Sequence, residues 1–355
     1  MRLKHTAVAI AAAALLAVFA GACGGGGEEG GGSGTETVSM GTVRGSSADA
    51  AVFIGIEKGY FEQQGIKIKL EQFNTGAQFV APLGSGELDA ASGGISAGLF
   101  NAVANDVGIK MVAGKSEVGS PSYSSLLVRK QLVDSGRYKD FSDLKGMKVA
   151  IPSLGVPPHY ELALFLRKAG LDIKDVSLEQ IGFADMVPAL KNGSVDAAIA
   201  IEPSATLAVR SDAAERVAGS DEVFPGEQTA VIMFNERFVG ERSETAQKVM
   251  NGYLKAVRYY TSALDGSRLS GPRGKEVAQI LTKYTTVKDP GVYMDIALHV
   301  VDPNAPVHVD KVQRDVDFWR EQGLIKTDVD VGDAVDSSFV EKTVKELGPP
   351  EEPQK

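Results

Sequence analysis

The spacing of apolar and polar residues changes repeatedly along this chain. Ile66-Lys67-Ile68-Lys69-Leu70 alternates with period two, which predicts a half-buried strand. Residues 38–43 read as a strand before it, and 51–58 as the helix between the two. Asn74-Thr75-Gly76 opens a helix that stops near Gly86. Residues 88–91 form a third strand, Ser92-Gly93-Gly94-Ile95-Ser96 starts another helix, and 109–113 is a further strand. After Ser120-Pro121-Ser122-Tyr123 the alternation restarts, with short strands at 126–128 and 147–151. A helix over 159–169 is entered through Pro157-Pro158, where a missing N–H costs nothing. A strand over 195–201 and a last strand over 229–234 follow. From Ser243 the pattern is helical, over 245–264, 275–284, 292–300 and 309–322, and is expected to pack back on the first unit. Strands alternating with helices predict an α/β fold with mainly parallel sheets flanked by helices.

One motif occurs twice. Leu83-Gly84-Ser85-Gly86-Glu87-Leu88-Asp89-Ala90-Ala91 returns, without a gap, as Leu190-Lys191-Asn192-Gly193-Ser194-Val195-Asp196-Ala197-Ala198. Upstream, Gly65-Ile66-Lys67-Ile68 echoes in Gly170-Leu171-Asp172-Ile173, and Leu70-Glu71-Gln72-Phe73 in Leu178-Glu179-Gln180-Ile181. Two copies of one unit predict two similar lobes with a cleft between them. The expected division is a first lobe over 38–122, a second over 123–236 and a mainly helical return to the first over 237–344. A polar tail at 345–355 is expected to be disordered.

Composition narrows the function. The chain has 355 residues, 43% apolar and 23% charged, and a net charge of −9. That is enough chain for two domains and gives no footprint for nucleic acid, which asks for clustered Lys and Arg. A single Cys excludes an internal disulfide and any multi-Cys metal site, and the four His have no ligand spacing. The chain carries no H-E-x-x-H and no P-loop. No catalytic residue, metal or cofactor is therefore expected.

The first residues read as an export signal. A basic start, Met1-Arg2-Leu3-Lys4-His5, precedes an Ala-rich apolar run over 7–22, so 1–22 reads as a signal peptide. Ala20-Gly21-Ala22-Cys23 resembles the lipobox of bacterial lipoproteins, with Ala20 where a Leu is usual; it also satisfies the A-x-A rule of ordinary secretion. Cys23 is the expected lipidation site, and 23–37, Gly-rich, a flexible tether reaching roughly 20 Å from a membrane.

Ligands of open parallel sheets bind beyond the carboxyl ends of the strands. Those ends carry Ser46 and Ser47, Asn74, Thr75 and Gly76, then Ser92, Gly93 and Ser96. In the second half they carry Gly155, Asp185 and Glu202. Several are small or hydroxyl residues opening a helix, whose free N–H groups accept an anion. Each also serves as an ordinary helix cap. Tyr123 and Tyr160 offer flat surfaces for a ligand or for the core, and His159 offers a donor at a helix start. Arg44 and Lys115 are the nearest basic residues. Asp89 and Asp196, at matching repeat positions, are read as one structural turn made twice, and Trp319 as core.

Four ordered motifs carry a family resemblance over roughly residues 38–330. Lys58-Gly59-Tyr60-Phe61 with Gly65-Ile66, and Gly86-Glu87-Leu88-Asp89-Ala90-Ala91, are similar to signatures of the periplasmic solute-binding proteins of nitrate, sulfonate and taurine transporters. Asp143-Leu144-Lys145-Gly146-Met147-Lys148-Val149 resembles their entry to the second lobe, and Gly193-Ser194-Val195-Asp196-Ala197 with Glu202-Pro203 their later motif. The resemblance implies a bilobal type II binding-protein fold, with crossovers near residues 121–125 and 234–239. It further implies a monomer that captures a small molecule by lobe closure and delivers it to an ABC permease with a cytoplasmic ATPase.

With few basic residues at the strand ends, the expected ligand is a sulfonate or aromatic carboxylate. Its acid group is expected on Ser46, Thr75, Ser92 or Ser96, and its body against Tyr123 or Tyr160. A thiamine pyrimidine precursor, paired to Glu202 or Asp185, is the competing ligand. An enzyme on the same fold and a surface sensor are the alternatives of different class.

Overall fold

The computed structural model describes residues 34–350. The segment expected to be a signal peptide, Cys23 as the expected lipidation site, most of the expected tether and the last five residues lie outside the described residues. β1 (Glu36–Val43), α1 (Ala50–Glu57), β2 (Ile66–Phe73), α2 (Val80–Ser85), β3 (Ala90–Gly94), α3 (Ala97–Val103) and β4 (Ile109–Glu117) lay down a first sheet. The chain then crosses to a second through β5 (Ser124–Arg129), α4 (Lys130–Asp134), β6 (Lys148–Ile151), α5 (Pro157–Lys168) and β7 (Ser177–Gln180). α6 (Phe183–Asn192), β8 (Ala197–Ile201), α7 (Ser204–Arg210) and β9 (Ala214–Gly219) complete it, and β10 (Gln228–Asn235) follows.

The two sheets have one topology, β2-β1-β3-β10-β4 and β7-β6-β8-β5-β9. In each, one strand runs against the others: β10 in the first and β5 in the second. Each of those strands arrives from the other lobe. The first crossing falls where expected, between β4 and β5. The second comes earlier than residues 234–239, because β10 pairs with β3 and β4. The second sheet is complete at Gly219, so the expected lobe boundary at 236 lies one strand too late. Every residue of β10 is buried, and a strand apolar on both faces carries no mark of the sheet it joins.

The repeated motif has a physical reason. Gly86 and Gly193 end α2 and α6 in the left-handed conformation, at φ 77° and 76°, which glycine adopts without a Cβ penalty. Asp89 then accepts from the backbone N–H of Ser39 at 2.9 Å and from Arg242 at 3.2 Å. Asp196 accepts from the N–H of Lys148 at 3.1 Å and from Arg129 at 3.1 Å. Each carboxylate ties the turn before one strand to its parallel neighbour. The next two alanines pair in matching register, Ala90 and Ala91 with Met40 and Gly41, Ala197 and Ala198 with Val149 and Ala150.

Alternation along the strands separates two apolar layers per sheet. On β8, Ala197 and Ile199 pack with α5 residues Leu162, Phe165 and Leu166, while Ala198 and Ala200 pack with Met186 and Leu190 of α6. On β10, Ile232 and Phe234 face one layer and Val231 and Met233 the other. The remaining chain forms α8 (Glu236–Glu241), α9 (Ser243–Thr261) and a short hairpin of β11 (Leu264–Asp265) and β12 (Arg268–Leu269). α10 (Gly271–Tyr284), α11 (Pro290–Asp295), α12 (Val309–Glu321) and α13 (Ser338–Leu347) follow. α9 buries Ala246, Val249, Met250, Tyr253, Leu254, Val257 and Tyr260, a helical spacing that seats it on α1 in the first lobe. Trp319 on α12 is fully buried in the opposite layer of that lobe. The helix expected over 292–300 stops at Asp295, and α13 extends into the expected tail as far as Leu347. No helix among the described residues is long and apolar enough to cross a membrane.

Candidate functional site

The carboxyl ends of β1, β2 and β3 face those of β6, β7 and β8 across a cleft. The lobes meet at its rim, where the N–H of Ala97 donates to the carbonyl of Gly155 at 2.8 Å. Gly155 holds φ 67°, and a Cβ there would come within 2.7 Å of the Ala97 Cβ. Residue 155 must therefore be small for the backbones to approach so closely. Behind that contact, Tyr160 on α5 stacks on Phe318 of α12 at 4.7 Å, and His159 meets the same ring at 5.1 Å. On the far side Arg210 of α7 pairs with Asp295 of α11 at 2.9 Å.

Between the lobes lies an inner cavity of about 110 Å³. It shares Ser46, Asn74, Thr75, Pro152 and Phe183 with an outer vestibule of about 630 Å³. Lys115, from β4, reaches the inner cavity and is only 3% exposed. Its ammonium donates at 2.5 Å to Asp49, which also accepts from Ser92 Oγ at 2.6 Å and from the Val43 N–H at 3.3 Å. A lysine has three N–H donors, so the ammonium can serve Asp49 and a ligand together. Beside it stands a hydroxyl cluster. Tyr123 and Thr229 are 2.7 Å apart, Thr229 lies 3.1 Å from Ser116 Oγ, and burial pushes the Tyr123 phenol up, so it stays un-ionised.

The second lobe contributes Pro152, Ser153, Val156, Pro157, Glu161 and Ile201. Glu161 is 2% exposed and accepts from Ser124 Oγ at 3.0 and 2.9 Å and from Ser220 Oγ at close range. Burial outweighs these two donors and pushes its carboxyl up to about 7. Ser153 Oγ is buried without a partner among the described residues. The vestibule carries Arg44, Asp185, Glu202 and Thr286.

The residues expected at the site separate into two groups. Ser46, Asn74, Thr75, Gly76 and Tyr123 line the inner cavity, and Asp185 and Glu202 the vestibule. The others serve the fold around it. Ser92 holds Asp49, and Ser96 caps α3 by accepting from the Leu99 N–H at 3.2 Å. Gly93 is glycine because a Cβ would enter the Phe79 ring. Ser47 donates to the Glu202 carbonyl at 3.4 Å across the lobes. Gly155, His159 and Tyr160 form the closing contact, and burial pushes the His159 imidazole down to about 4. Glu202, expected to hold a ligand amine, is already engaged by Arg216 and by Thr206 at 2.9 and 3.0 Å. Asp49, Ser116, Ser124, Glu161 and Thr229 were not picked out by position. Only the order Ser-Ser-Ala-Asp at the entry to α1 marks one of them. No group of three or more His, Cys, Asp or Glu among the described residues is placed to hold a metal ion.

Comparison with known proteins agrees with the architecture. A Bacillus subtilis protein named for the binding of aliphatic sulfonates is 26% identical over 309 residues, 83% of this chain and 85% of that one. The ligand-binding component of an ABC-type import system from Staphylococcus aureus, solved with zinc bound, superposes with a TM-score of 0.71 at 16% identity, covering 87% of this chain and 99% of that one. The nitrate-binding protein NrtA of Synechocystis superposes at 0.73 with 14% identity, covering 88% and 89%. Enzymes use this fold as well: the desulfurization enzyme DSZB superposes at 0.63 with 14% identity, covering 88% and 100%. The pattern of the NMT1-like family matches residues 31–269, and the chain belongs to that family.

Proposed function

We propose that this chain is the extracytoplasmic solute-binding component of an ABC importer, taking a small organic acid of the sulfonate or aromatic carboxylate class. The cavity between the lobes, with Lys115 on its wall, is the observation that carries this reading. The acid group sits on Lys115 and the hydroxyls of Ser46, Thr75, Ser116 and Thr229. The body of the ligand lies against Tyr123, Phe183 and the prolines 152, 157 and 158. Charge-assisted hydrogen bonds inside a low-dielectric cavity are stronger than in water. The lobes close because the ligand touches both, and differential contact is what shifts such an equilibrium. The closed form is then presented to a permease with a cytoplasmic ATPase, the protein acting as a monomer. Cys23 carries the lipid that keeps it near the membrane, with free secretion as the other outcome of the same signal.

The relative named for sulfonate binding supports the acid class, and the largely apolar wall supports an organic acid over a bare inorganic ion. A second reading has its own support. Glu161 is a buried carboxyl without a cation and would suit the amine of a thiamine pyrimidine precursor. Thermal-shift measurement with sulfonates, aromatic carboxylates, nitrate and 4-amino-5-hydroxymethyl-2-methylpyrimidine separates them. Stabilisation by an organic acid is expected. Stabilisation by the pyrimidine alone would overturn the acid reading, and turnover of any of these compounds would overturn the binding-protein reading.

A further inference from the structure

Glu161 is the acidic side chain lining the inner cavity, and its surroundings differ from those of the other buried carboxyls at the cleft, Asp49 and Glu202. Asp49 has Lys115, and Glu202 has Arg216. Glu161 has only the hydroxyls of Ser124 and Ser220. A carboxylate taken out of water without a cation is costly, and the usual escape is to keep the proton. A protonated carboxyl has one O–H to donate, and a hydroxyl can turn to accept it or leave it for a ligand.

We propose that Glu161 is a specificity-determining residue of the cleft, donating its carboxyl proton to an anionic oxygen of the bound acid, so that capture of the acid holds a proton in the site. This rests on the organic-acid reading above. An ionised Glu161 would instead repel the acid across the cavity that both must occupy. No bond in the ligand changes: when the free protein carries Glu161 as a carboxylate, binding takes one proton from solvent onto it.

The other titratable groups around Glu161 do not compete for this role. On the facing lobe they are Lys115 and Asp49, already paired at 2.5 Å. Tyr123 precedes β5, and its phenol is raised by burial. His159, two residues back on α5, faces Phe318. Of the acids flanking Ser220, Asp221 takes Ser120 Oγ at 2.7 Å and Glu222 takes the Gly219 N–H at 3.2 Å. Glu227, ahead of β10, is held by Arg314 at 2.6 Å and does not line the inner cavity. The carboxyl of Glu161, pushed up to about 7 by burial, places the switch near neutrality. Affinity for an acid is then full below that value and falls as pH rises through it, by at most about tenfold per pH unit for one linked proton.

Calorimetric titration of the purified chain with ethanesulfonate and with benzoate, at about pH 6 and about pH 8.5, tests this, since neither probe titrates in that interval while a linked proton changes affinity there. Affinity is expected to fall at least about tenfold across the interval. Repeating the alkaline titration in buffers of different ionisation heat should reveal proton uptake. Glu161→Gln, which keeps a donor but cannot ionise, should flatten the profile, and Glu227→Gln should leave it in place. The wild-type profile and its proton uptake stand even if the Gln variant folds poorly. Acid binding that is independent of pH, or that strengthens on alkalinisation, would overturn this role for Glu161 while leaving the acid reading intact. Binding of neither acid at either pH would overturn both. Binding of the aminopyrimidine that strengthens through neutrality would make Glu161 an acceptor and overturn the proposal.

Discussion

The two walls of the cleft each bury a carboxyl within a turn or two of a helix start, and they treat it oppositely. Asp49, from the first lobe, is 1% exposed and meets Lys115, Ser92 and a backbone N–H. Glu161, from the second, is 2% exposed and meets two serines and no cation. Equal burial therefore leaves one wall ion-paired and the other holding a proton up to neutral pH. The partner, rather than the depth, sets the chemistry. The lobes share strand order, turn glycines and the Asp89 and Asp196 ties, so the fold repeats while the cleft does not. One wall supplies charge, and the other supplies a proton that depends on pH.

The contrast can be broken most severely at Asp49. Asp49→Ala leaves Lys115 buried without its counter-ion, and removing one partner of a buried pair costs about 3–5 kcal/mol. Urea denaturation should show a loss of that size; a loss within experimental scatter would mean that Lys115 finds another partner or water.

Glu161→Gln acts in the opposite sense. The folded protein holds this proton up to about 7, whereas an unfolded Glu releases it near 4.3, so the folded state binds more protons between the two values. Stability from this group is present below the unfolded value and is lost as pH rises through the folded one. The loss amounts to roughly 4 kcal/mol. The Gln variant should therefore gain on the wild type as pH rises from about 4.3 to about 7, by up to that amount, and keep the gain above it, in melts followed by circular dichroism. Glu227, also raised to about 7 by burial, contributes in the same direction and stays in both proteins. Equal pH dependence in the two would show that Glu161 ionises at no cost.

The smallest effect belongs to the exposed bridge between the lobes. Arg210 and Asp295 are 47% and 66% exposed, and such pairs are worth about 0.2–1 kcal/mol. Arg210→Ala should cost no more than this in denaturation, and a larger loss would give the rim a weight that its geometry does not explain.

Much of the architecture was legible in the sequence because it repeats. The motif around Gly86 and Gly193 encodes a turn, a tie and a strand, and two copies imply two lobes. β10 pairs in the first lobe and not the second, a difference its apolar run does not encode because it fits either sheet equally. The helix expected over 292–300 ends early because Ile296 and Leu298, both buried, pack from an extended segment. At the cleft, strand-end position puts Ser46, Asn74 and Thr75 on the wall of the inner cavity, since that placement follows from topology alone. The same position favours Ser92 and Ser96, which brace Asp49 and cap α3, while His159, a candidate donor at a helix start, packs on Phe318. A hydroxyl at a helix start reads the same in sequence whether it faces a ligand or its own backbone. The Asp49–Lys115 pair joins β4 to the entry of α1, and Glu161 meets Ser220 on the return crossing; such pairings exist only once the chain is folded.

If Lys115 holds the acid, neutralising it together with its carboxylate partner should weaken capture without leaving a buried charge unpaired. The double substitution Asp49→Asn with Lys115→Met removes both charges, so no unpaired charge is left behind. The wild type is expected to bind ethanesulfonate or benzoate at one site per chain, and the double variant to bind it about tenfold to a hundredfold more weakly, the worth of a hydrogen bond to a charged group. Unchanged affinity in the double variant, or no binding of either acid by the wild type, would show that Lys115 does not hold an organic acid.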